Sequence, residues 1–501
     1  MTRNQRMVIL TLFPMLLLMN ACTSPSSDRT VLLPVEDDPT ISFRICFMAG
    51  TQCDPEGKEG LATLTALLMT GGATGRRSYD DIMEALYPMA AGYGAGIDKE
   101  MTVISGRVHK DNLEAYYELL TDAILHPAFN EDDFTRIRSN LRNNVDKSLR
   151  YADDEELGKA VFYDFVFEGS RYGHLNQGTL SGLDAITLDD VRAFYDTWFT
   201  RDNVVIGIGG GYASDLPLRL ETDFLSLPEG KTEQPAPPDV AVIDGLEMTI
   251  VEKDCDATAI SFGFPISVLR GDDDFWALSL FNSWFGEHRN SSSHLYQVIR
   301  EARGMNYGDY SYIEIFPNGG RRQMPAPNNA RRQQLFEVWI RPVQHEHRHF
   351  VLRAAMRELQ QVVDNGMTRE QFELTQRFLD NYALQYAKTT SERLGYAIDA
   401  KFYGIEREYI DLFRKRIAAL TLEEVNAAIR RHLQYDNVKF GIVTNDAETF
   451  RRDLVMDVPS PVSYASPVPA QVLEEDAHIA VHPLEFVEER IRIVSVDSLF
   501  R

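Results

Sequence analysis

The histidine and arginine side chains at helical spacing are where this chain could do chemistry. His345-Glu346-His347-Arg348-His349 sets two imidazoles four residues apart with a glutamate beside the first. On a helix that spacing puts His345 and His349 on one face, able to bind zinc while Glu346 serves as general base. Glu370 and Glu373 follow as candidates for a third ligand. Two features weigh against it. Arg341-Pro342 lies just upstream, so the motif falls in a helix's exposed first turn. Gln344, Arg348 and Arg353 around it are polar, where a catalytic zinc helix is buried beside a cleft. The expectation is adventitious metal binding at a surface through three close histidines. A second segment runs from Ser293 to Tyr307, with Leu295, Val298, Ile299 and Ala302 forming a buried helical stripe. Gly304 suits a left-handed C-cap, and Tyr310 and Tyr312 continue as a strand. Read alone, its Arg300 and Tyr307 are an exposed helix arginine and a sheet tyrosine. A third segment, Asp54 to Leu67, carries Leu61, Leu64, Leu67 and Leu68 at helical spacing and is closed by Gly71-Gly72. Read alone it is a core helix.

The elements that position these residues come in duplicate. Thr187-Leu188-Asp189-Asp190-Val191 leads to Asp202-Asn203-Val204-Val205-Ile206-Gly207-Ile208. Thr421-Leu422-Glu423-Glu424-Val425 leads to Asp436-Asn437-Val438-Lys439-Phe440-Gly441-Ile442 at the same spacing, an offset of 421 − 187 = 234 residues. Each copy predicts a helix with Thr as N-cap and acids in its first turn, then a turn and an apolar strand. Residues 228–240 are polar and proline-rich, a linker between two halves. A second proline tract, Pro459 to Pro469, closes the second half, and the alternating Ile491 to Val496 predicts an added strand. Short strands such as 41–49 and 438–443 mix with helical patterns at 351–363 and 370–388, an α+β architecture. The chain has 501 residues, 44% hydrophobic and 25% charged, and is too long for one core. Its formal charge of −24 argues against nucleic acid and against broad contact with an anionic membrane surface. The basic segment from Arg321-Arg322 to Arg331-Arg332 reads as a long loop that lines a chamber, meets a partner or is simply solvated.

At the N-terminus, Arg3 and Arg6 precede an apolar run from Val8 to Met19, too short to span a membrane and fitting a secretory signal over residues 1–21. The Ala21-Cys22 junction resembles a bacterial lipoprotein cleavage site, which makes Cys22 the lipidated residue and residues 22–30 a tether. That implies the cell envelope, with Thr23 after Cys22 favouring the periplasmic face of the outer membrane. Cys46, Cys53 and Cys255 remain, an odd count with no disulfide expected.

The Asp54–Leu67 segment, with Gly60-Leu61-Ala62 before the helix, resembles the zinc helix of the pitrilysin/insulinase family of metallopeptidases (the inverzincins), which carries His-x-x-Glu-His directly after Gly-Leu-Ala. The two His positions fall here on Thr63 and Leu67 and the Glu position on Ala66. Alanine and leucine offer zinc no lone pair. The family's third ligand, a glutamate on a later helix, aligns with Leu141 to Val145, which holds no carboxylate, although Asp146 is close. The resemblance therefore implies no metal and no cofactor in this chain and no peptidase activity of the chain alone. The Ser293–Tyr307 segment resembles the family's other signature, in which Arg300 would grip a substrate carbonyl and Tyr307 would donate to the developing oxyanion.

Some members of that family divide the site between two chains, and this sequence is similar to the chain without zinc. The resemblance spans roughly residues 30 to 455. It implies two homologous halves, 31–227 and 241–455, each a mostly antiparallel sheet covered by helices, closing clam-like around a chamber, with residues 456–501 as a proline-rich segment and tail. The implied function is the non-zinc, substrate-binding subunit of a heterodimeric zinc metallopeptidase acting on peptides. The implied partner is a homologous subunit bearing His-x-x-Glu-His and the zinc. The rival implication is a catalytically silent peptide-binding or scaffold protein of the same fold. Stoichiometric zinc held by the 345–349 histidines would instead mark a stand-alone metallopeptidase.

Overall fold

The computed structural model describes residues 29–230, 232–317, 319–405 and 408–501; Cys22 and the 1–21 segment lie outside the described residues. β-Branched and aromatic runs form two sheets. The first contains β1 (Thr30–Pro34), β2 (Thr40–Phe47), β3 (Gly92–Ile97), β4 (Thr102–His109) and β5 (Val204–Gly210) in the order β1-β5-β2-β4-β3. The second contains β6 (Leu246–Glu252), β7 (Thr258–Ile266), β8 (Asp309–Tyr312), β9 (Gln334–Val343), β10 (Val438–Thr444) and β11 (Ile491–Ser495) in the order β11-β6-β10-β7-β9-β8. Pairing is antiparallel except β1 with β5, and β6 with both β10 and β11. The tail strand thus extends the second sheet. The architecture is α+β, with two homologous halves.

Both repeat helices start as their sequences dictate. Thr187 and Asp190 form a reciprocal capping box ahead of Leu188–Trp198, and Thr421 and Glu424 do the same ahead of Leu422–His432. One face of each sheet packs on its own half's helices. Ile41, Phe43, Ile45 and Phe47 meet Leu61, Leu64 and Leu68 in the first core, and Ile260, Phe262 and Phe440 meet Leu278 and Phe281 in the second.

The other face of each sheet is covered by a helix from the opposite half. Helix Asp154–Val166 lies on β7 and β10, and helix Thr390–Phe402 lies on β5, β1 and β2. The repeat glycines make room for this exchange. A Cβ at Gly441 would stand 2.8 Å from the Phe162 backbone nitrogen, and one at Gly207 would stand 2.7 Å from Ile398 Cδ1. Strand starts β2 and β7 are 218 positions apart, from residue 40 to 258, whereas β5 and β10 are 234 apart, from 204 to 438. The extra residues fall between β8 and β9, where 313–333 replaces the tight turn 98–101 that joins β3 to β4.

Candidate functional site

Helix Leu61–Gly71 begins at Gly60, whose φ of 103° is open to glycine alone at little strain. Asp54 accepts hydrogen bonds from the amides of Gly60 and Ala62, both at 2.7 Å, which caps the helix. His174 Nε2 sits 3.3 Å from the same carboxylate. The three zinc-motif positions are otherwise engaged. The Thr63 hydroxyl donates to the Asn176 carbonyl, Ala66 is fully buried and Leu67 packs against the first core. On the later helix, Leu141 and Val145 are buried. Asp146 is 3.0 Å from Arg150 and 3.0 Å from Lys147. A hydrogen bond from Lys147 keeps its carboxyl below the usual range. These residues do not fit a zinc ion. Among the described residues no group of three or more His, Cys, Asp or Glu could hold a metal.

The 345–349 histidines do not converge. His345 sits in a single 3₁₀ turn, His345–His347, ahead of helix Arg348–Asn365. Both its ring nitrogens are used, Nδ1 at 2.8 Å from Thr258 Oγ1 and Nε2 at 2.8 Å from the Cys255 carbonyl. His349 is buried against Phe450, and burial pushes its imidazole down to about 4. The expected exposed metal-binding surface is therefore corrected: of the polar residues around the motif, Gln344 is exposed but Arg348 and Arg353 are buried. Arg353 is 0% exposed and donates to Ser460 (2.9 Å), Asp457 (2.7 Å) and the Ala480 carbonyl. Its partners come about a hundred residues later, beyond the reach of a local reading of the motif.

The Arg300–Tyr307 segment is built differently. Arg300 lies in a π-helical turn, Tyr296–Glu301, with its guanidinium 5.9 Å over the Tyr296 ring and 3.6 Å from Glu301. Gly304 takes the left-handed φ of 65° that its sequence position predicts, and its amide donates to the Arg300 carbonyl at 2.8 Å. Buried Asn306 then pins the chain, donating to Asp309 (2.7 Å) and to the Arg341 carbonyl (3.1 Å). Between these anchors Tyr307 turns outward, 77% exposed, at the entry to edge strand β8. The sequence resemblance places Tyr307 at a strand start; the strand begins two residues later. Arg300, Tyr307 and the 61–71 helix stand on different halves of the chain.

The described residues of segment 313–333 are irregular except for their anchors and cross to the first half. Arg331 donates to Asp98 at 2.6 Å in a buried pair, and Arg332 to Glu100. Burial alone would lift the Asp98 carboxyl; the Arg331 guanidinium outweighs it and holds it low. Cys46 and Cys53 are buried and Cys255 half-buried, all free. Missed by the sequence analysis is a cavity of about 300 Å³ between the halves, lined by Lys99, Glu156, Asp164, His174, Ile315 and Arg331 among others. Its one sequence signal was an Asp98-Lys99-Glu100 turn between two apolar strands.

Comparison with known proteins agrees with the fold. The family "Insulinase (Peptidase family M16)" matches residues 30–164, and "Peptidase M16 inactive domain" matches residues 185–379. A Mycobacterium leprae protein described as an uncharacterized zinc protease is 26% identical over 251 residues, 50% of this chain and 55% of that one. A Helicobacter pylori protein described as a non-peptidase homologue is 20% identical over 80% of this chain and 88% of its own. The crystal structure of a peptidase M16 inactive domain from Pseudomonas fluorescens superposes with a TM-score of 0.72 at 22% identity, over 84% of this chain and 97% of that one. The two family matches take in well over half of the chain, and the chain belongs to the M16, or insulinase, family of peptidases. Within it, this chain has the family's fold without its His-x-x-Glu-His.

Proposed function

We propose that this chain is the non-zinc, substrate-binding subunit of a heterodimeric zinc metallopeptidase that acts on peptides in the bacterial envelope. The partner is a homologous subunit bearing His-x-x-Glu-His, which supplies the zinc and the general base. The observation that carries the reading is the contrast between the two signatures. Thr63 and Ala66 are buried and Leu67 packs against the first core, while Tyr307 projects from a pinned turn with Arg300 seven residues upstream. A phenol and a guanidinium facing outward beside a sheet edge can meet a peptide held by another chain: an edge strand offers backbone pairing, and Tyr307 offers an oxyanion donor. Lipidation at Cys22 would hold the complex at the periplasmic face of the outer membrane.

The test has two stages. The tagged full chain is recovered from its native envelope, and an equimolar His-x-x-Glu-His partner is expected by mass spectrometry. In that complex Arg300→Ala and Tyr307→Phe are expected to lower kcat by about 10²–10³, the usual effect of losing one oxyanion donor. Unchanged kcat in both variants would sink the catalytic-subunit reading. The second reading, a silent peptide-binding or scaffold protein, is favoured by the Helicobacter pylori non-peptidase relative. Recovery of the chain without such a partner would select it.

A further inference from the structure

Part of the polar lining of the cavity between the halves is left unpaired. Lys99, in the turn between β3 and β4, is only 4% exposed, and its ammonium donates to a single protein acceptor, the His174 carbonyl. An ammonium has three donors, and a buried one without a counter-ion is rare. Among the described residues no carboxylate reaches ion-pair distance of Lys99. Asp98 is committed to Arg331 and to Asn176 at 2.9 Å, and Asp54 to the 61–71 helix amides. Elsewhere on the wall, the exchanged helix Asp154–Val166 presents half-buried Glu156 and Asp164. Neither side chain has a hydrogen bond or ion pair among the described residues.

Lys99 feels the Asp164 charge yet does not close on it. Burial, then Arg331, pushes Lys99 down to about 7, and burial lifts Asp164 to about 6. Leu149, Leu175, Phe167 and Ile315 supply apolar wall. With buried Lys159 of the exchanged helix donating to the Phe316 carbonyl at 2.8 Å, Lys99 and the two acids stand apart in one cavity and can all be satisfied by a ligand carrying opposite charges at its two ends.

We propose that this cavity binds a small zwitterion of the amino-acid type, a free amino acid or a dipeptide, with its carboxylate on Lys99 and its ammonium on Asp164 and Glu156. An apolar side chain would lie against Leu149, Leu175 and Ile315. The site is independent of Arg300 and Tyr307.

Titration calorimetry on the full chain at about pH 6.5, between the two perturbed groups, tests it with L-leucine and L-alanyl-L-leucine as probes. At least one is expected to bind one-to-one, which also distinguishes amino acid from dipeptide. N-Acetyl-L-leucine, L-leucinamide and the corresponding capped dipeptides each lose one charge and are expected to bind about tenfold more weakly or worse. Lys99→Met and Asp164→Asn, checked for intact folding by thermal melting, are expected to do the same to the uncapped probe. No binding of either probe at millimolar concentration, equal binding of the capped compounds, or full binding by folded Lys99→Met would overturn the proposal.

Discussion

Ala66 and Lys99 are both buried on the first half, and only one of them carries a charge. At Ala66, the position that the family resemblance aligns with the motif's glutamate, exposure is 0%. Ala66→Glu would bury a carboxylate in an apolar core, at a cost of about 3–5 kcal/mol. Urea unfolding is expected to show that loss, and a change below 1 kcal/mol would mean that the pocket re-forms around a ligand. Lys99 carries the opposite lesson. Its folded-state value near 7 lies below the ordinary lysine range, so between about pH 7 and pH 10 the unfolded chain holds a proton that the folded chain does not. Stability from this group therefore rises with pH across that window, and the penalty is fullest below it. Lys99→Met is expected to stabilise the free protein at pH 7 and to leave it nearly unchanged at pH 10. A pH-independent difference would show that Lys99 stays charged in the fold. The left-handed turn at Gly304 was legible in the sequence because it depends on local backbone chemistry, and family membership without His-x-x-Glu-His because it depends on residue type. The burial of Arg353 and the isolation of Lys99 were not, because both depend on neighbours far along the chain.

At the scale of elements, Gly207 and Gly441 occupy the same place in the two repeats, and the sequence showed them only as a shared pattern. The structure supplies the reason: each lies under a helix that arrives from the other half. At Gly441 the obstacle to a methyl group is backbone, with the Phe162 nitrogen at 2.8 Å and the Gly158 carbonyl at 2.9 Å. At Gly207 the nearest obstacle is the end of a flexible side chain, Ile398 Cδ1 at 2.7 Å. Overpacking of this kind costs about 1–3 kcal/mol. Gly441→Ala is expected at the upper end of that range and Gly207→Ala at the lower, read as midpoint shifts in guanidinium unfolding. The reverse order would mean that helix Asp154–Val166 can slide on its sheet and Thr390–Phe402 cannot. Capped helices and apolar strands were readable from Thr187, Thr421 and the alternating runs. Which sheet each helix covers was not, since nothing in Leu394 or Phe162 records the strand it meets.

For the whole molecule, exchange of helices makes the two halves one folding unit. Remove residues 241–501 and the first sheet loses Leu394 and Ile398 from over Cys46, Val103 and Val205, which would then face water as an apolar sheet surface. Asp98 and Glu100 would also lose Arg331 and Arg332. The second half alone would lose Phe162 from Gly441 and Tyr163 from Glu337, whose hydrogen bond is 2.6 Å long. Each half keeps the core between its sheet and its own helices but loses the cover on the sheet's other face, so neither is expected to be stable by itself. The full chain is then expected to unfold in one calorimetric transition with van't Hoff and calorimetric enthalpies in agreement, despite a length at which separate domains usually melt apart. Fragment 29–230 expressed alone is expected to lack near-ultraviolet circular dichroism and to gain it when fragment 241–501 is co-expressed. Two resolved transitions, or a folded isolated fragment, would show that each half completes its own core and that the exchanged helices are surface decoration. One transition would show that the exchanged helices are part of the cooperative core, so that under the proposed function this chain would meet its proposed partner as one folded unit.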